Sequence, residues 1–249
     1  MHLAARGVAT AAWTGQDTRV TGLFAIVLPA QAFQLEGHRA ITRQAIALET
    51  ESCPALARWQ SVVTAANVGE DLNLPVKWGR HSHYYRPVGE VDTGWRSTSE
   101  VRVAALADDL ESAIQSGNSS AAWSEIGRIL HHVQDMASPP HVVPVKHGLD
   151  DPFEARRVGQ VAGDREPPTT ASALDAHHAL ALETWERVTG EAGLEPYWVV
   201  EHTGFGDYGE HAHDDEELFD ALHADRVEAA LAWSRTVLRE LGAPLCQGD

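Results

Sequence analysis

The sequence predicts an all-α protein with a single compact helical domain, and three observations support this. The chain has 249 residues, of which 43% are hydrophobic and 22% charged, which is typical of one globular domain. No alternation of apolar and polar residues is long enough to build a sheet. Apolar residues instead recur at helical spacing between loops that are too long to be simple connectors, and such loops usually carry function.

The first element is an expected signal peptide at residues 1–32. An apolar run that is too short to cross a bilayer ends in Ala30-Gln31-Ala32, which matches a signal-peptidase cleavage pattern. We therefore expect a mature domain over 33–249 that begins at Phe33, in a secreted or periplasmic protein. The alternative is an ordinary apolar segment packed on the core.

Six helices are predicted in the mature chain, separated by three long loops. The helices lie at roughly 38–50, 54–67, 98–116, 120–137, 171–189 and 215–241, and the loops at roughly 68–96, 138–170 and 191–213. The predicted end signals are Ser97 with Glu100 and Gly117 for the third helix, Thr170 and Gly190 for the fifth, and Asp214 with Glu217 and Gly242 for the last.

Cysteine is scarce, since only Cys53 and Cys246 are present. This excludes a thiolate zinc knuckle and a disulfide-dense scaffold. In an exported protein the two could pair and tie the first helical hairpin to the C-terminus, or they could remain two separate thiols. The sequence leaves both alternatives open.

The chain is acidic and rich in histidine, with a formal net charge of −17 and 14 His. Its 19 Lys and Arg residues face 36 Asp and Glu, so we expect no broad basic surface and no binding to duplex nucleic acid. An acidic chain with many imidazoles indicates metal binding.

The most informative motif begins near the end of the fourth predicted helix. His131 and Asp135 are four residues apart, so they project from one helix face as two ligands of one ion would. Pro139 and Pro140 end that helix, and His141 in the next turn could serve a second ion. The alternative is an exposed hydrogen bond or ion pair on a helix surface.

Further candidate ligands follow in the next loop. Either Glu154 or Asp151 could join His147 and His141 around one ion, and we favour Glu154. The alternative is structural, because Asp151 and Pro152 look like a helix start whose capping box Glu154 would complete.

Upstream candidates are Asp71 in a predicted loop, His83, and His38 at the opening of the first helix. Cleavage before Phe33 would create a free α-amine whose nitrogen, together with the carbonyl oxygen, could chelate an ion beside His38.

Taken in order from Phe33 to about Glu154, these elements resemble the zinc-dependent phospholipase C superfamily, which also contains the fungal single-strand-specific nucleases. The resemblance implies an all-helical enzyme of the zinc-dependent phospholipase C type, with long metal-binding loops and a trinuclear zinc centre. The motifs that carry it are Gly37-His38, Gly69-Glu70-Asp71, Ser82-His83-Tyr84-Tyr85, and Leu130-His131-x-x-x-Asp135 continuing to Pro140-His141, the last being the most specific.

Carried over residue by residue, the resemblance implies three zinc ions. The implied ligands are Asp71, His83, His131 and Asp135 for the first, His141, His147 and Glu154 for the second, and Phe33 main-chain atoms, His38 and the shared Asp135 for the third. The sequence departs from the family in having Phe33 for the usual Trp, Arg86 for a frequent Asp, and a longer spacing from His147 to Glu154. The remaining histidines of the expected mature chain are predicted to lie at the surface or to act as supporting residues: His81, His132, His177, His178, His202, His211, His213 and His223.

The implied activity is that of a secreted, monomeric hydrolase for small-molecule or lipid phosphate diesters, with peripheral contact to a membrane surface. Clustered zinc ions lower the pKa of a bound water from about 15.7 towards 7, and Asp71 is the candidate general base. One alternative is a single-strand-specific nuclease or 3′-nucleotidase on the same fold, and a second is a non-catalytic metal-binding helical module.

Overall fold

A computed structural model describes residues 34–73, 83–89, 97–143, 153–189 and 216–247. These ranges contain no strand and form one compact helical domain, so the predicted fold class is confirmed at that level. The predicted signal peptide and Phe33 lie outside the described residues. The helices are α1 Gln34–Glu49, α2 Ala55–Leu72, α3 Ser99–Gln115, α4 Ser119–Asp135, α5 Pro139–Val142, α6 Ala173–Thr189 and α7 Glu216–Cys246.

Helix α4 is the centre of the domain, because it contacts α1, α2, α3, α6 and α7. Every residue from Ile129 to Asp135 is buried, as expected for a helix with neighbours on all sides. The polar residues of this stretch therefore lie inside the protein. Buried polar groups are costly unless they are partnered, so the environment of these side chains needs a specific explanation.

The packing of α4 on α2 depends on Gly127. A Cβ atom at Gly127 would lie 2.4 Å from the carbonyl oxygen of Val63 and 2.9 Å from the Cβ of Ala66. We expect Gly127→Ala to force the two helices apart and to lower the free energy of unfolding by at least about 2 kcal/mol. Chemical denaturation monitored by circular dichroism would measure the change.

Gly69 of α2 provides the matched control, because a Cβ there would have no heavy atom within 4 Å. Alanine is favoured over glycine inside a helix, so Gly69→Ala should raise the free energy of unfolding by about 0.5–1 kcal/mol. Equal effects of the two substitutions would contradict the close approach of α2 and α4 at Gly127.

Helix α2 extends to Leu72, beyond the end predicted at residue 67. Glu70 and Asp71 therefore lie in its last turn rather than in a loop, and both are buried. Contacts with other elements stabilise this extra turn, since Arg102 of α3 donates to Glu70 at 2.6 and 3.1 Å.

Two of the predicted helix-start signals do not cap their helices. Helix α3 begins at Ser99 after Thr98, whose side chain makes no capping hydrogen bond, and the expected capping box of Ser97 and Glu100 is not formed. Helix α6 begins at Ala173, two residues after the predicted start, and its cap is Ser172 in place of Thr170, because the Ser172 hydroxyl accepts a hydrogen bond from the backbone N–H of Asp175 at 3.1 Å.

The other predicted end signals had mixed outcomes. Gly117 does end α3, with a φ of +68° and its N–H bonded to the Ile114 carbonyl at 3.0 Å. Gly242 does not end α7; a Cβ there would approach the Trp123 ring to 3.2 Å, so this glycine allows close helix packing. Gly190 and Asp214 lie outside the described residues.

Helix α7 continues to Cys246, where a disulfide joins it to Cys53, just before α2. The two Cα atoms are 5.2 Å apart, within the usual range for a disulfide. Cys53 and Cys246 are therefore paired, and the alternative of two separate thiols is wrong.

None of the helices described has both the length and the apolarity to cross a bilayer.

Glu49, at the end of α1, is buried and binds two arginines of α7. Its carboxylate is 2.7 Å from the Arg235 guanidinium and 2.5 Å from that of Arg239. Burial alone would raise the pKa of Glu49, but both arginines lower it below its ordinary value of 4.5. The ion pairs of Glu49 with Arg235 and Arg239 therefore stabilise the fold fully above about pH 4.5, and this stabilisation is lost as the pH falls through the lowered pKa of Glu49.

We expect Glu49→Gln to reduce the loss of stability on acidification. Between pH 6 and pH 3 the free energy of unfolding should fall less for this variant than for the unmodified protein. Denaturant titrations at both pH values would measure this, with exposed Glu240→Gln on α7 as the control. An unchanged pH dependence in Glu49→Gln would contradict the role of the ion pairs.

Candidate metal centre

Five of the predicted ligands meet inside the domain, where the ends of α1, α2 and α4 converge on the segment 83–89. They are all buried, with at most 5% of the residue exposed: His38, Asp71, His83, His131 and Asp135. This burial contradicts the alternative in which His131 and Asp135 form an exposed ion pair on a helix surface.

The four residues predicted to hold the first ion lie together. Asp135 Oδ2 is 2.8 Å from His83 Nδ1 and 3.4 Å from His131 Nε2. Asp71 Oδ1 is 3.7 Å from His83 Nδ1 and 3.6 Å from His131 Nε2. Two carboxylates and two imidazoles therefore direct their donor atoms toward one another.

The other oxygen of Asp135 faces α1. Asp135 Oδ1 is 3.2 Å from His38 Nε2, so this carboxylate lies between His38 on one side and His83 with His131 on the other. The arrangement is the one that a carboxylate shared by two ions requires. Phe33, the other predicted ligand beside His38, lies outside the described residues.

A second pair of predicted ligands lies next to this cluster. His141, in α5, places Nε2 2.9 Å from Glu154 Oε1, and both residues are buried. Glu154 lies in a turn, and none of the described helices begins at this point. The alternative in which Glu154 completes a capping box is therefore not supported. His147 and Asp151 lie outside the described residues.

Three overlapping groups of side chains could each hold a metal ion, with all donor atoms of a group within 4.8 Å of one another. They are His38 with His131 and Asp135, Asp71 with His83 and His131, and His83 with His132 and Asp135. Imidazole nitrogens and carboxylate oxygens are donors that zinc accepts at tetrahedral sites. The residues present therefore fit a metal centre. The third group adds His132, which the sequence analysis left outside the ligand set.

The electrostatics of two central residues, Asp135 and His131, favour the protonation states that bind metals. Burial alone would raise the pKa of Asp135, but His131, His141 and His83 lower it well below its ordinary value. Burial lowers the pKa of His131 well below 6.5, and the neighbouring histidines add to this effect. An ionised carboxylate and a neutral imidazole are the forms that ligate.

Gln134, which the sequence analysis did not identify, orients His38. Its side-chain oxygen accepts from His38 Nδ1 at 2.7 Å and from Asn67 Nδ2 at 3.2 Å. Its amide nitrogen donates to Thr42 and Ser234, each at 3.0 Å. Because an amide oxygen can only accept, Nδ1 of His38 carries a proton, which leaves Nε2, 3.2 Å from Asp135 Oδ1, as the nitrogen that could bind an ion.

A second supporting network lies behind His132. Its Nε2 is 3.4 Å from buried Glu70, whose carboxylate also binds Arg102. Burial alone would raise the pKa of Glu70, but His132 and Arg102 hold it well below its ordinary value. The Ser99 hydroxyl is 3.2 Å from His132 Nδ1 and 2.8 Å from His177 Nε2.

Hydrogen bonds and ring contacts fix the segment that carries His83. The backbone N–H of Tyr85 donates to the His141 carbonyl at 3.0 Å, and His141 Nδ1 donates to the His83 carbonyl at 2.9 Å. The Tyr85 hydroxyl is 2.6 Å from His178 Nδ1, and Arg86 lies 4.7 Å from the centre of the Trp185 ring. Helix α6 thus anchors this segment.

The histidines expected at the surface or in supporting positions divide into two sets. His132, His177 and His223 are buried, and His178 is exposed. Burial, with a smaller contribution from His132, lowers the pKa of His177 to about 3, so this ring is neutral beside Ser99. The others lie outside the described residues: His81, His202, His211 and His213.

No family model matches the chain, and no curated protein matches it. The resemblance to the zinc-dependent phospholipase C superfamily therefore rests on the sequence motifs, and the buried cluster is compatible with it.

Proposed function

We propose that this protein is a secreted zinc-dependent phosphodiesterase of the phospholipase C type. The observation that carries the proposal is the burial of two carboxylates and four imidazoles in overlapping groups whose donor atoms converge. Such a cluster is unfavourable in a protein interior without a cation to balance its charge. The order of these ligands along the chain matches the superfamily motifs.

Each residue has a defined task in this proposal. His38, Asp71, His83, His131 and Asp135 would hold two ions, and His141 with Glu154 would contribute to a third. Bound zinc lowers the pKa of water towards about 7 and stabilises charge on the phosphoryl oxygens. Asp71 accepts the proton of the attacking water, and Gln134 keeps His38 in the tautomer that binds.

The phospholipase C type is favoured over the nuclease type by Glu154. A glutamate paired with the histidine of the second site suits the phospholipase pattern, and Glu154 lies 2.9 Å from His141. Secretion is supported by the disulfide between Cys53 and Cys246, because such bonds persist in oxidising compartments.

Hydrolysis by the zinc-loaded mature chain tests the proposal. We expect cleavage of a phosphorylcholine ester of p-nitrophenol, and loss of that activity after chelation with recovery on adding zinc. Cleavage of single-stranded nucleic acid alone would establish the nuclease alternative. Zinc binding without cleavage of any diester would contradict both enzyme functions and support the non-catalytic metal-binding module.

A further inference from the structure

The turn that carries Glu154 is not part of a helix. Residues 153–156 form an irregular turn, in which the backbone N–H of Arg156 donates to the Phe153 carbonyl at 3.3 Å. A residue inside a helix is held in place by the helical hydrogen bonds, and Glu154 has no such support. Its position next to His141 therefore depends on the side-chain contacts that fix the turn.

Two side chains of the turn anchor it on the start of α7. Phe153 is buried, and its ring packs edge-on against Phe219 with the ring centres 5.9 Å apart. The Arg156 guanidinium lies 4.5 Å from the centre of the same ring and forms ion pairs with Glu216 and Asp220. A planar guanidinium that contacts two carboxylates and an aromatic face is held in one orientation. Arg156 thus fastens the turn to α7.

On its other side the turn faces a cavity rather than packed side chains. The cavity has a volume of about 390 Å³, and its lining includes Gly37 of α1 and residues 154–158. The described side-chain hydrogen bonds from α1 to this segment lie further along the chain, where Gln44 bonds to Gly159 and to Val161, each at 3.1 Å. The turn therefore has room to shift toward α1 if its contacts with α7 are lost.

We propose that Arg156 is a positioning residue for the metal centre. By holding the turn on α7, it keeps Glu154 Oε1 2.9 Å from His141 Nε2, so that the two side chains bind one ion together. The inference rests on the proposed function in one respect, namely that His141 and Glu154 hold a zinc ion. Outer residues that orient a metal ligand commonly change metal affinity 10–100-fold when they are replaced, by about that order.

The sign of the change in zinc affinity distinguishes positioning from simple electrostatics. Arg156 is a cation, so removing its charge would by itself strengthen the binding of Zn²⁺, because like charges repel. Loss of positioning weakens the binding instead. A lower affinity in a variant without this charge therefore reports the displacement of Glu154.

Chelator competition on the zinc-loaded mature chain tests the proposal. We expect Arg156→Gln to bind one of its zinc ions about tenfold more weakly than the unmodified protein, with the affinity for the others unchanged. Asp220→Asn, which removes a partner of Arg156 on α7, should weaken the same ion. The far-UV circular dichroism of both metal-free variants should remain helical.

Arg157→Gln is the matched control. Arg157 is the next residue, is exposed, and forms no ion pair with a described residue. Its replacement removes the same charge from the same segment without removing an anchor, so the zinc affinity should not fall. Metal-free Arg156→Gln and Arg157→Gln should have the same denaturation midpoint, because ion pairs to exposed carboxylates contribute little to stability.

The Glu154→Gln background shows whether Arg156 acts through Glu154. Glu154→Gln should weaken the same ion, and adding Arg156→Gln to it should cause no further loss. An equal further loss would overturn the proposal. Unchanged or tighter zinc binding in Arg156→Gln, or an equal loss in Arg157→Gln, would also overturn it.

The same experiment separates this inference from the proposed function. Unmodified protein that binds no zinc would contradict both. Zinc binding with the expected loss in Arg156→Gln, but without cleavage of any diester, would contradict the phosphodiesterase function and support the positioning role.

Discussion

Replacing Asp135 with asparagine should abolish diester hydrolysis, with a fall in kcat/KM of about 100-fold or more. Asp135 is the carboxylate shared by the cluster, since one oxygen faces His38 and the other faces His83 and His131. Asparagine keeps the shape but lacks the charge that balances the cations. Zinc content should fall together with activity, while the far-UV circular dichroism of the metal-free protein stays helical.

The matched control is Glu125→Gln on the same helix. Glu125 pairs with Arg128 and takes no part in the cluster, so zinc content and activity should remain unchanged. Full activity in Asp135→Asn would refute the shared role of this carboxylate. Equal losses in both variants would indicate a general effect of charge removal from α4.

Breaking the disulfide should have the largest effect on stability. The bond joins residues separated by 193 positions, and the loss of such a cross-link costs about 2–5 kcal/mol, largely by freeing the unfolded chain. Cys246→Ser should lower the free energy of unfolding by this amount. Because the disulfide joins the start of α2 to the end of α7, diester hydrolysis by the folded protein should be unchanged.

The control uses the unmodified protein in dithiothreitol, which should have the same stability as Cys246→Ser. Cys53→Ser and the double variant should also match it, since each removes the same bond. A stability in dithiothreitol equal to that in its absence would contradict the contribution of the disulfide.

The sequence predicted those features that depend on local periodicity. The spacing of His131 and Asp135 placed both on one face of a helix, and that helix is present. Gly117 ended a helix because a positive φ favours glycine, and no contact with another element was needed. Such local signals are sufficient where the backbone conformation alone determines where a helix lies and where it ends.

Features that depend on contacts between distant residues were not predicted. Asp71 was expected in a loop, but α2 continues because buried Glu70 gains Arg102 from another helix. Gly242 was expected to end α7, but it lies against Trp123. Gln134 was missed because its four partners come from three other helices, α1, α2 and α7, and glutamine beside a ligand has no sequence signature of its own.

The central claim is that a zinc centre is built from imidazole and carboxylate ligands, and metal analysis combined with zinc K-edge X-ray absorption of the mature protein tests it most directly. We predict close to three zinc ions per chain, with only nitrogen and oxygen ligands at about 2.0–2.2 Å, because both cysteines form the disulfide. Protein that binds no zinc, or zinc bound to sulfur at about 2.3 Å, would contradict the account.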